Sequence, residues 1–136
     1  MIELTLEMAE KAVRAAHAKA KELGTPMTVG VVDEGGRLLL LSRGDGAGPL
    51  SPDIAIAKAV AAVGFRLSTK EMGELYKGDP AFWGSMSAVL AGQALPSAGA
   101  DLIVRNGRII GAIGCSGGTG EQDHKCAEAG AAAVLS

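Results

Sequence analysis

A glycine-rich segment near the C-terminus offers the clearest arrangement for chemistry. Residues 114–118 read Gly-Cys-Ser-Gly-Gly, and a helical pattern begins directly after Thr119. Glycines let backbone N–H groups face outward, and the positive end of a helix dipole favours an anion there. The alternative is a tight strand-to-helix turn that needs glycine only for its backbone angles. The candidate ligand-binding residues of this segment, expected to bind a carboxylate, are Gly114, Cys115, Ser116, Gly117 and Gly118.

Two isolated charges are candidates for acid–base chemistry. Asp123 lies in the first turn of the C-terminal helix, where it either complements the helix dipole or accepts a proton or hydrogen bond in a pocket. Lys58 is the only charge between Ile54 and Phe65. It either extends its ammonium to water or binds a ligand carboxylate, and a desolvated lysine could also act as a base or nucleophile. We therefore name Asp123 and Lys58 as candidate catalytic residues, and Lys58 also as a candidate ligand-binding residue.

Three further side chains complete the candidate ligand-binding set. Arg37 would add positive charge, although a solvated surface position explains it equally well. Phe82 and Trp83 lie in an irregular middle segment. They either wall an apolar pocket and stack on a planar ligand, or anchor that segment to the core.

The histidines and cysteines predict neither a metal site nor a disulfide. His17 and His124 are the only histidines, and they are too far apart for metal-ligand spacing. We expect both on the surface or at an interface. Cys115 and Cys126 are expected to be reduced thiols, with Cys115 acting as a small buried side chain.

The helical patterns have recognisable ends. An apolar face recurs over residues 5–23, with Thr5 as the N-cap and Gly24 as the C-cap. A second helix is predicted from Ser51, as N-cap, to about Leu67. This second helix is apolar nearly all round, which predicts burial on more than one side and suggests a subunit interface.

The middle and C-terminal helices are shorter or richer in alanine. Residues 68–71 resemble a capping box for a helix ending near Tyr76, and another short helix is predicted over 81–90. This segment, rich in helix breakers, could cover a site. Thr119 and Gln122 form a second capping box for the last helix, which is predicted over residues 120–135.

The predicted strands occur as two hairpins. Residues 28–33 and 37–42 are joined by a turn at 34–36, and residues 101–105 and 108–114 are joined by Asn106-Gly107. A loop is expected over 115–118. Since the strands come in hairpins rather than alternating singly with helices, the order predicts an α+β fold with an antiparallel sheet flanked by helices.

Size and charge narrow the function class. The chain has 136 residues, which predicts a single domain over 1–136, and a formal net charge of −2. Its cations are scattered, which argues against nucleic acid as a partner. The sequence contains no apolar run long enough for a membrane span and shows no signal peptide, so we expect a cytoplasmic protein.

The quoted segments resemble one known family. Residues 111–123, Gly-Ala-Ile-Gly-Cys-Ser-Gly-Gly-Thr-Gly-Glu-Gln-Asp, closely resemble the C-terminal motif of the GlcG/HbpS-like "haem-degrading" (DUF336) family. The family includes the C-terminal domain of PduO-type proteins. Residues 31–36, 54–66 and 95–107 are similar to its first hairpin, central helix and second hairpin. The resemblance covers nearly the whole chain.

The resemblance implies a fold more firmly than an activity. It implies an antiparallel sheet flanked by helices, a homo-oligomer and a small-molecule ligand, with haem, cobalamin or another carboxylated molecule as candidates. Two alternatives stay open. One is a metal-independent small-molecule isomerase or lyase of a catabolic pathway that uses Asp123 or Lys58. The other is a non-catalytic accessory protein for assembly.

Overall fold

The structure, a computed structural model, describes residues 4–135 and contains one four-stranded sheet with helices on both faces. Among the described residues, no helix combines the length and hydropathy needed to cross a membrane. The helices are α1 (Leu6–Leu23), α2 (Ser51–Phe65), α3 (Thr69–Gly78), α4 (Pro80–Gly84), α5 (Met86–Val89) and α6 (Gly120–Val134). The strands are β1 (Thr28–Asp33), β2 (Leu38–Arg43), β3 (Ala100–Arg105) and β4 (Arg108–Ser116).

The sheet is antiparallel throughout, in the order β2-β1-β4-β3. Its two hairpins are joined through the central pair, in which Thr28 lies opposite Ser116 and Asp33 lies opposite Gly111. The Asn106-Gly107 turn has φ of 53° and 75°. Positive φ at both central residues is what the twist of a tight hairpin requires, and Asn and Gly adopt it most readily.

The core is divided by the sheet into two layers. Side chains that alternate along a strand point to opposite faces, so Val31 and Ile113 pack with α1 and α6, whereas Val32 and Ala112 pack with α2. Helices on both sides of an antiparallel sheet confirm the predicted α+β fold.

Three of the predicted helix termini are formed as the sequence indicated. The Thr5 side chain accepts the Met8 N–H at 3.1 Å. The capping boxes of α3 and α6 are both complete, with reciprocal bonds between Ser68 and Glu71 and between Thr119 and Gln122. These are local interactions between residues three apart, which explains why sequence alone predicted them.

The predicted start and end of α2 are wrong in detail. Leu50 is the N-cap, and Ser51 lies inside the helix, where its hydroxyl donates to the Gly48 carbonyl and also bonds the Thr28 hydroxyl at 2.7 Å. The helix ends at Phe65 rather than Leu67, because Arg66 adopts a left-handed conformation with φ of 60°. The Ser51 hydroxyl therefore bonds the buried Thr28 of β1 instead of capping the helix, which is the role that the sequence predicted for it.

Other boundaries also differ from the prediction, most of them by one residue, as in β2, which is Leu38–Arg43 rather than 37–42, and some of them by more. The helix expected over 81–90 is two short helices, α4 and α5, separated at Ser85. Strand β4 continues two residues beyond Gly114, so Cys115 and Ser116 are not in a loop. The extension occurs because β1 pairs with β4 as far as Thr28 opposite Ser116.

Helix α2 is covered on two sides by its own chain. The sheet buries one side, and Met72, Trp83 and Ala94 from the following segments pack with Ala62 and Val63 on another. Burial on more than one side is confirmed, but it does not by itself require a second subunit. The homo-oligomer stays a prediction.

The close approach of α2 to the sheet depends on Gly114. A Cβ at this position would overlap the Ala55 carbonyl oxygen and lie 2.9 Å from the Ala59 amide nitrogen. Both obstacles are helix backbone, which cannot move away as the end of a side chain can. The layer spacing therefore requires glycine at this place in β4.

We predict that Gly114→Ala lowers the free energy of unfolding by about 1–3 kcal/mol, the usual cost of overpacking a core. Gly64→Ala is the matched control, since a Cβ there meets nothing within 4 Å. Alanine in a helix is favoured over glycine by at most about 1 kcal/mol, so the control should be neutral or slightly stabilised. Urea unfolding of both variants measures the difference, and equal stability of the two would contradict the proposed contact.

Candidate functional site

Lys58 and Asp123, the two predicted catalytic candidates, form a buried ion pair. Lys58 Nζ lies 2.9 Å from Asp123 Oδ2 and donates a second hydrogen bond, of 3.0 Å, to the Cys115 carbonyl. Their side chains are only 6% and 4% exposed. Lys58 therefore does not extend to water, and its partner is a carboxylate of the protein.

The pair forms at one end of the sheet. Lys58 comes from α2 on one face and Asp123 from α6 on the other, and they meet beside Cys115, near the end of β4. Gly99 lies against them, because a Cβ there would be 2.7 Å from Lys58 Nζ and 2.9 Å from Asp123 Cβ. Its φ of 135° also excludes most other residues.

The second carboxylate oxygen of Asp123 closes the glycine-rich loop. Asp123 Oδ1 accepts the Gly118 N–H at 2.8 Å, and Gln122 Oε1 accepts the Thr119 N–H at 2.9 Å. Backbone donors that were expected to bind a ligand carboxylate are therefore occupied by side chains of the same chain. The N-terminus of α6 does attract an anion, and that anion is Asp123.

The five residues of the predicted anion loop do not share one surface. Gly114 is covered by α2, and the Cys115 N–H bonds the Gly99 carbonyl at 2.7 Å. Ser116 is buried, at 7% exposure. Gly117 and Gly118 are exposed but lie against Thr25 and Pro26, where a Cβ would meet backbone or side-chain atoms. Close packing thus accounts for the glycines.

The three remaining ligand-binding candidates lie at two other places. Arg37 is exposed next to the β1–β2 turn, at the end of the sheet opposite Cys115. Trp83 is 9% exposed and packs on Phe65 with ring centroids 5.1 Å apart. Phe82 is 47% exposed and makes an edge contact with Trp83. The structure brings together Lys58, Asp123 and the end of β4, but neither Arg37 nor the two aromatic residues join them.

Trp83 lines a groove, as one of the two sequence interpretations of this residue expected, whereas Phe82 does not line it; the other walls were not predicted. This groove has a volume of about 550 Å³ and runs between α3, α4 and the segment before β3. A second groove of about 410 Å³ shares Ala98 as a lining residue and is also lined by His124. The first is lined by Gly73, Tyr76, Lys77, Trp83, Gly84, Ser87, Leu95, Pro96, Ser97 and Ala98, and the second by Lys70, Ala98, Gly120, Glu121, His124, Lys125 and Glu128.

His124, in the second groove, lies close to two carboxylates, those of Glu128 and Asp101. His124 Nε2 lies 3.6 Å from Glu128 Oε2, and its Nδ1 is buried with no hydrogen-bond partner among the described residues. Burial raises the pKa of the Asp101 carboxyl. The hydrogen bond from the Leu102 N–H and the nearby His124 lower this pKa and so offset part of the increase.

Neither histidine lies in a cluster of metal-ligating side chains. No group of three or more such side chains occurs among residues 4–135. The other histidine, His17, instead bonds the Ser42 hydroxyl at 2.9 Å.

Both cysteines are buried thiols. Burial raises the pKa of the Cys115 thiol well above its usual range and that of Cys126 to about 11. The nearby Asp123 carboxylate raises both values further. Neither thiol forms a disulfide, and both are in the neutral, unreactive form at neutral pH.

We predict that Lys58→Met and Asp123→Asn each lower the free energy of unfolding by about 3–5 kcal/mol, because either change leaves a buried charge without its partner. The double variant Lys58→Met/Asp123→Asn should lose less than the sum of the two, as expected for groups in direct contact. Urea unfolding completes the double-mutant cycle.

Lys77→Met provides the control for the ion pair. It removes an exposed ion pair with Glu74 at 3.3 Å, and such surface substitutions change stability by about 0.5 kcal/mol or less. Strictly additive losses in the Lys58 and Asp123 cycle would show that the buried contact is not formed in solution.

We predict that neither cysteine of the folded protein reacts with a thiol reagent such as DTNB at pH 8. The thiolate is the reactive form, and burial disfavours it at both positions. In denaturant both of the chain's cysteines should react. Rapid reaction of either thiol under native conditions would contradict the burial described above.

Solved structures share this fold over nearly the whole chain. A protein from Klebsiella pneumoniae, ORFY, of the DUF336 family, has a TM-score of 0.89 and 30% identity, covering 96% of this chain and 90% of that chain. A double mutant of HbpS from Streptomyces reticuli has a TM-score of 0.84 and 38% identity, covering 95% and 85%. A structure described as a PduOC:heme complex has a TM-score of 0.86 and 31% identity, covering 96% and 94%.

Curated proteins are similar at the level of sequence. An uncharacterized 15.0 kDa protein from the dhaT-dhaS intergenic region of Citrobacter freundii is 38% identical over 130 residues, which are 92% of this chain and 87% of that protein. The corrinoid adenosyltransferase PduO of the same organism is 30% identical over 131 residues, which are 96% of this chain but only 39% of PduO.

A family model gives the same assignment. The model described as "Haem degrading protein HbpS-like" matches residues 4–132, which include both hairpins, the Lys58–Asp123 pair and the glycine-rich motif. The chain therefore belongs to the HbpS-like family of haem-degrading proteins.

Proposed function

We propose that this chain is a small-ligand-binding protein and that its ligand is haem or a similar tetrapyrrole. The observation that carries the proposal is the likeness to the PduOC:heme complex, at a TM-score of 0.86 over 96% of the chain. The same relative is 31% identical to this chain in sequence, and haem is named in the description of its structure. The shape and lining of two surface grooves support the same proposal.

The groove beside Trp83 supports a flat, mostly apolar ligand. The Trp83 and Tyr76 rings and Pro96 supply apolar and aromatic surface, and Gly73 and Gly84 leave space between them. Its volume of about 550 Å³ lies within the range of pockets that bind small molecules and cofactors. Lys77, which lines this groove and pairs with Glu74 at 3.3 Å, would supply positive charge for a carboxylate substituent.

The neighbouring groove adds candidate iron ligands and charge. It shares Ala98 with the first groove, and its lining includes the His124 imidazole and the two lysines Lys70 and Lys125. Haem iron is commonly held by His or Tyr side chains. Tyr76 lines the first groove and His124 the second, so we propose these two side chains as candidate iron ligands; of the His124 nitrogens, Nδ1 is buried and Nε2 lies 3.6 Å from Glu128.

The enzyme alternative has less support from the site. Lys58 and Asp123 are buried and bonded to each other, so a substrate would reach them only after a rearrangement of the chain around Gly99. In the glycine-rich loop, the Gly118 N–H already donates to the Asp123 carboxylate and is therefore not available to a substrate. For these reasons we propose ligand binding in the grooves ahead of isomerase or lyase chemistry at the ion pair.

We predict that hemin binds with one-to-one stoichiometry, gives a shifted Soret band and raises the melting temperature. A ligand at about one hundred times its dissociation constant stabilises a protein by about 2.7 kcal/mol. Gly73→Leu should weaken hemin binding by about tenfold or more, equivalent to about 1.4 kcal/mol, because the new side chain projects into the groove. A Cβ at Gly73 meets nothing within 4 Å, so the fold should accept the change.

Gly64→Leu is the matched control, since Gly64 is an exposed helical glycine with equal space around it and lies outside both grooves. It should leave hemin affinity unchanged. Cobalamin and small carboxylic acids complete the titration panel. Stabilisation by one of these without hemin binding would replace the proposed ligand, and equal hemin affinity of the two glycine variants would place the ligand elsewhere.

A further inference from the structure

The segment that separates the two grooves from the ion pair is hydrogen-bonded to α2 at its start and packs against α2 at its end. We call this segment, residues 95–99, the strap. At its start, the Leu95 N–H donates to the Ala57 carbonyl at 3.0 Å. At its end, Gly99 lies against the ammonium of Lys58, the next residue of α2. Two adjacent residues of one helix therefore determine where the strap begins and ends.

The end of the strap is connected to the ion pair by a short chain of bonds. The Gly99 carbonyl accepts the Cys115 N–H at 2.7 Å, and the Cys115 carbonyl accepts a hydrogen bond from Lys58 at 3.0 Å. Asp123 holds the same ammonium from the other side, at 2.9 Å. Each polar group in this series of hydrogen bonds is buried, so each depends on its neighbour in the series for its hydrogen bond.

The other side of the strap forms the grooves. Leu95, Pro96, Ser97 and Ala98 all line the first groove, and Ala98 also lines the second. A Cβ at Gly120 would lie 3.3 Å from that of Ala98, so the strap also closes against the start of α6. One residue, Gly99, thus separates the buried charges from the wall of the grooves.

We infer that Lys58 and Asp123 are positioning residues that hold the strap against α2 and so determine the shape of the ligand groove. This inference rests on the proposed function only for its ligand readout. The role differs from that of a catalytic pair, because neither side chain needs to touch the ligand. A positioning role also explains why the ion pair lies in the interior rather than on the surface. In the interior the pair connects α2, α6 and the strap at one point.

The test measures the strap first without ligand. In Lys58→Met, hydrogen–deuterium exchange should increase in peptides that contain residues 95–99 and Cys115, compared with exchange elsewhere in the same protein. The control is Ile110→Ala, which removes a side chain that is 1% exposed at the far end of β4. This control lowers global stability without touching the strap, so its exchange should rise evenly and not in the strap alone. An even rise in both variants overturns the inference.

The second measurement is hemin affinity in the same variants. Lys58→Met should raise the hemin dissociation constant by about tenfold, which corresponds to about 1.4 kcal/mol, whereas Ile110→Ala at equal folded fraction should leave it unchanged. Equal effects in the two variants contradict a positioning role. If the wild-type chain does not bind hemin, the proposed function fails, and the exchange data still decide whether Lys58 holds the strap.

A second variant covers the case in which Lys58→Met does not fold. Asp123→Asn keeps an oxygen acceptor for the Gly118 N–H but weakens the hold on the Lys58 ammonium. Increased exchange confined to the strap supports the inference in this variant also. Exchange in the strap that matches the wild type overturns it.

Discussion

The buried contact between Lys58 and Asp123 is the constraint on which the arrangement around the site depends. Removing two charges from water costs several kcal/mol for each ion, and this cost is offset only when both charges are paired and their remaining hydrogen bonds are satisfied. Here the Cys115 carbonyl and the Gly118 N–H satisfy them. The end of β4, the glycine-rich loop and the start of α6 must therefore take up one arrangement.

Small residues make that contact possible. Lysine is long enough to pass from one face of the sheet to the other only if the layers are close and nothing obstructs its end. Gly114 lets α2 approach β4, and Gly99 leaves room for the ammonium. On the other face, Gly130 lies against Ile113 and the Ala12 carbonyl in the same way. The many alanines and glycines of this chain thus serve close packing of helices on a sheet.

The same contact changes where a ligand is expected. A glycine-rich loop before a helix is a good anion site, but in this chain the anion is Asp123. The ligand surface that we propose lies on the other side of the strap, in the grooves beside Trp83 and His124. In this proposal the glycine-rich motif supports the strap, and the grooves form the binding surface.

Much of the local structure was determined by the sequence itself. The Thr5 cap, both capping boxes and the Asn106-Gly107 turn depend on residues within four positions of one another, so their physics is complete within a short window. The hairpins and the α+β class follow from such signals. The partner of Lys58 was decided only by the tertiary structure, because Asp123 is 65 residues away.

Other details were also decided by distant contacts. Ser51 bonds Thr28 instead of capping α2, and β4 extends to Ser116 because β1 offers it a pairing partner. Trp83 is buried against Phe65, and the groove that it lines is completed by residues of α3 and of the segment before β3, which lie outside its own helix. The sequence by itself thus determined the elements and named the two charges. Only folding determined that these charges neutralise each other, because a buried charge takes whichever partner the packed layers place within reach.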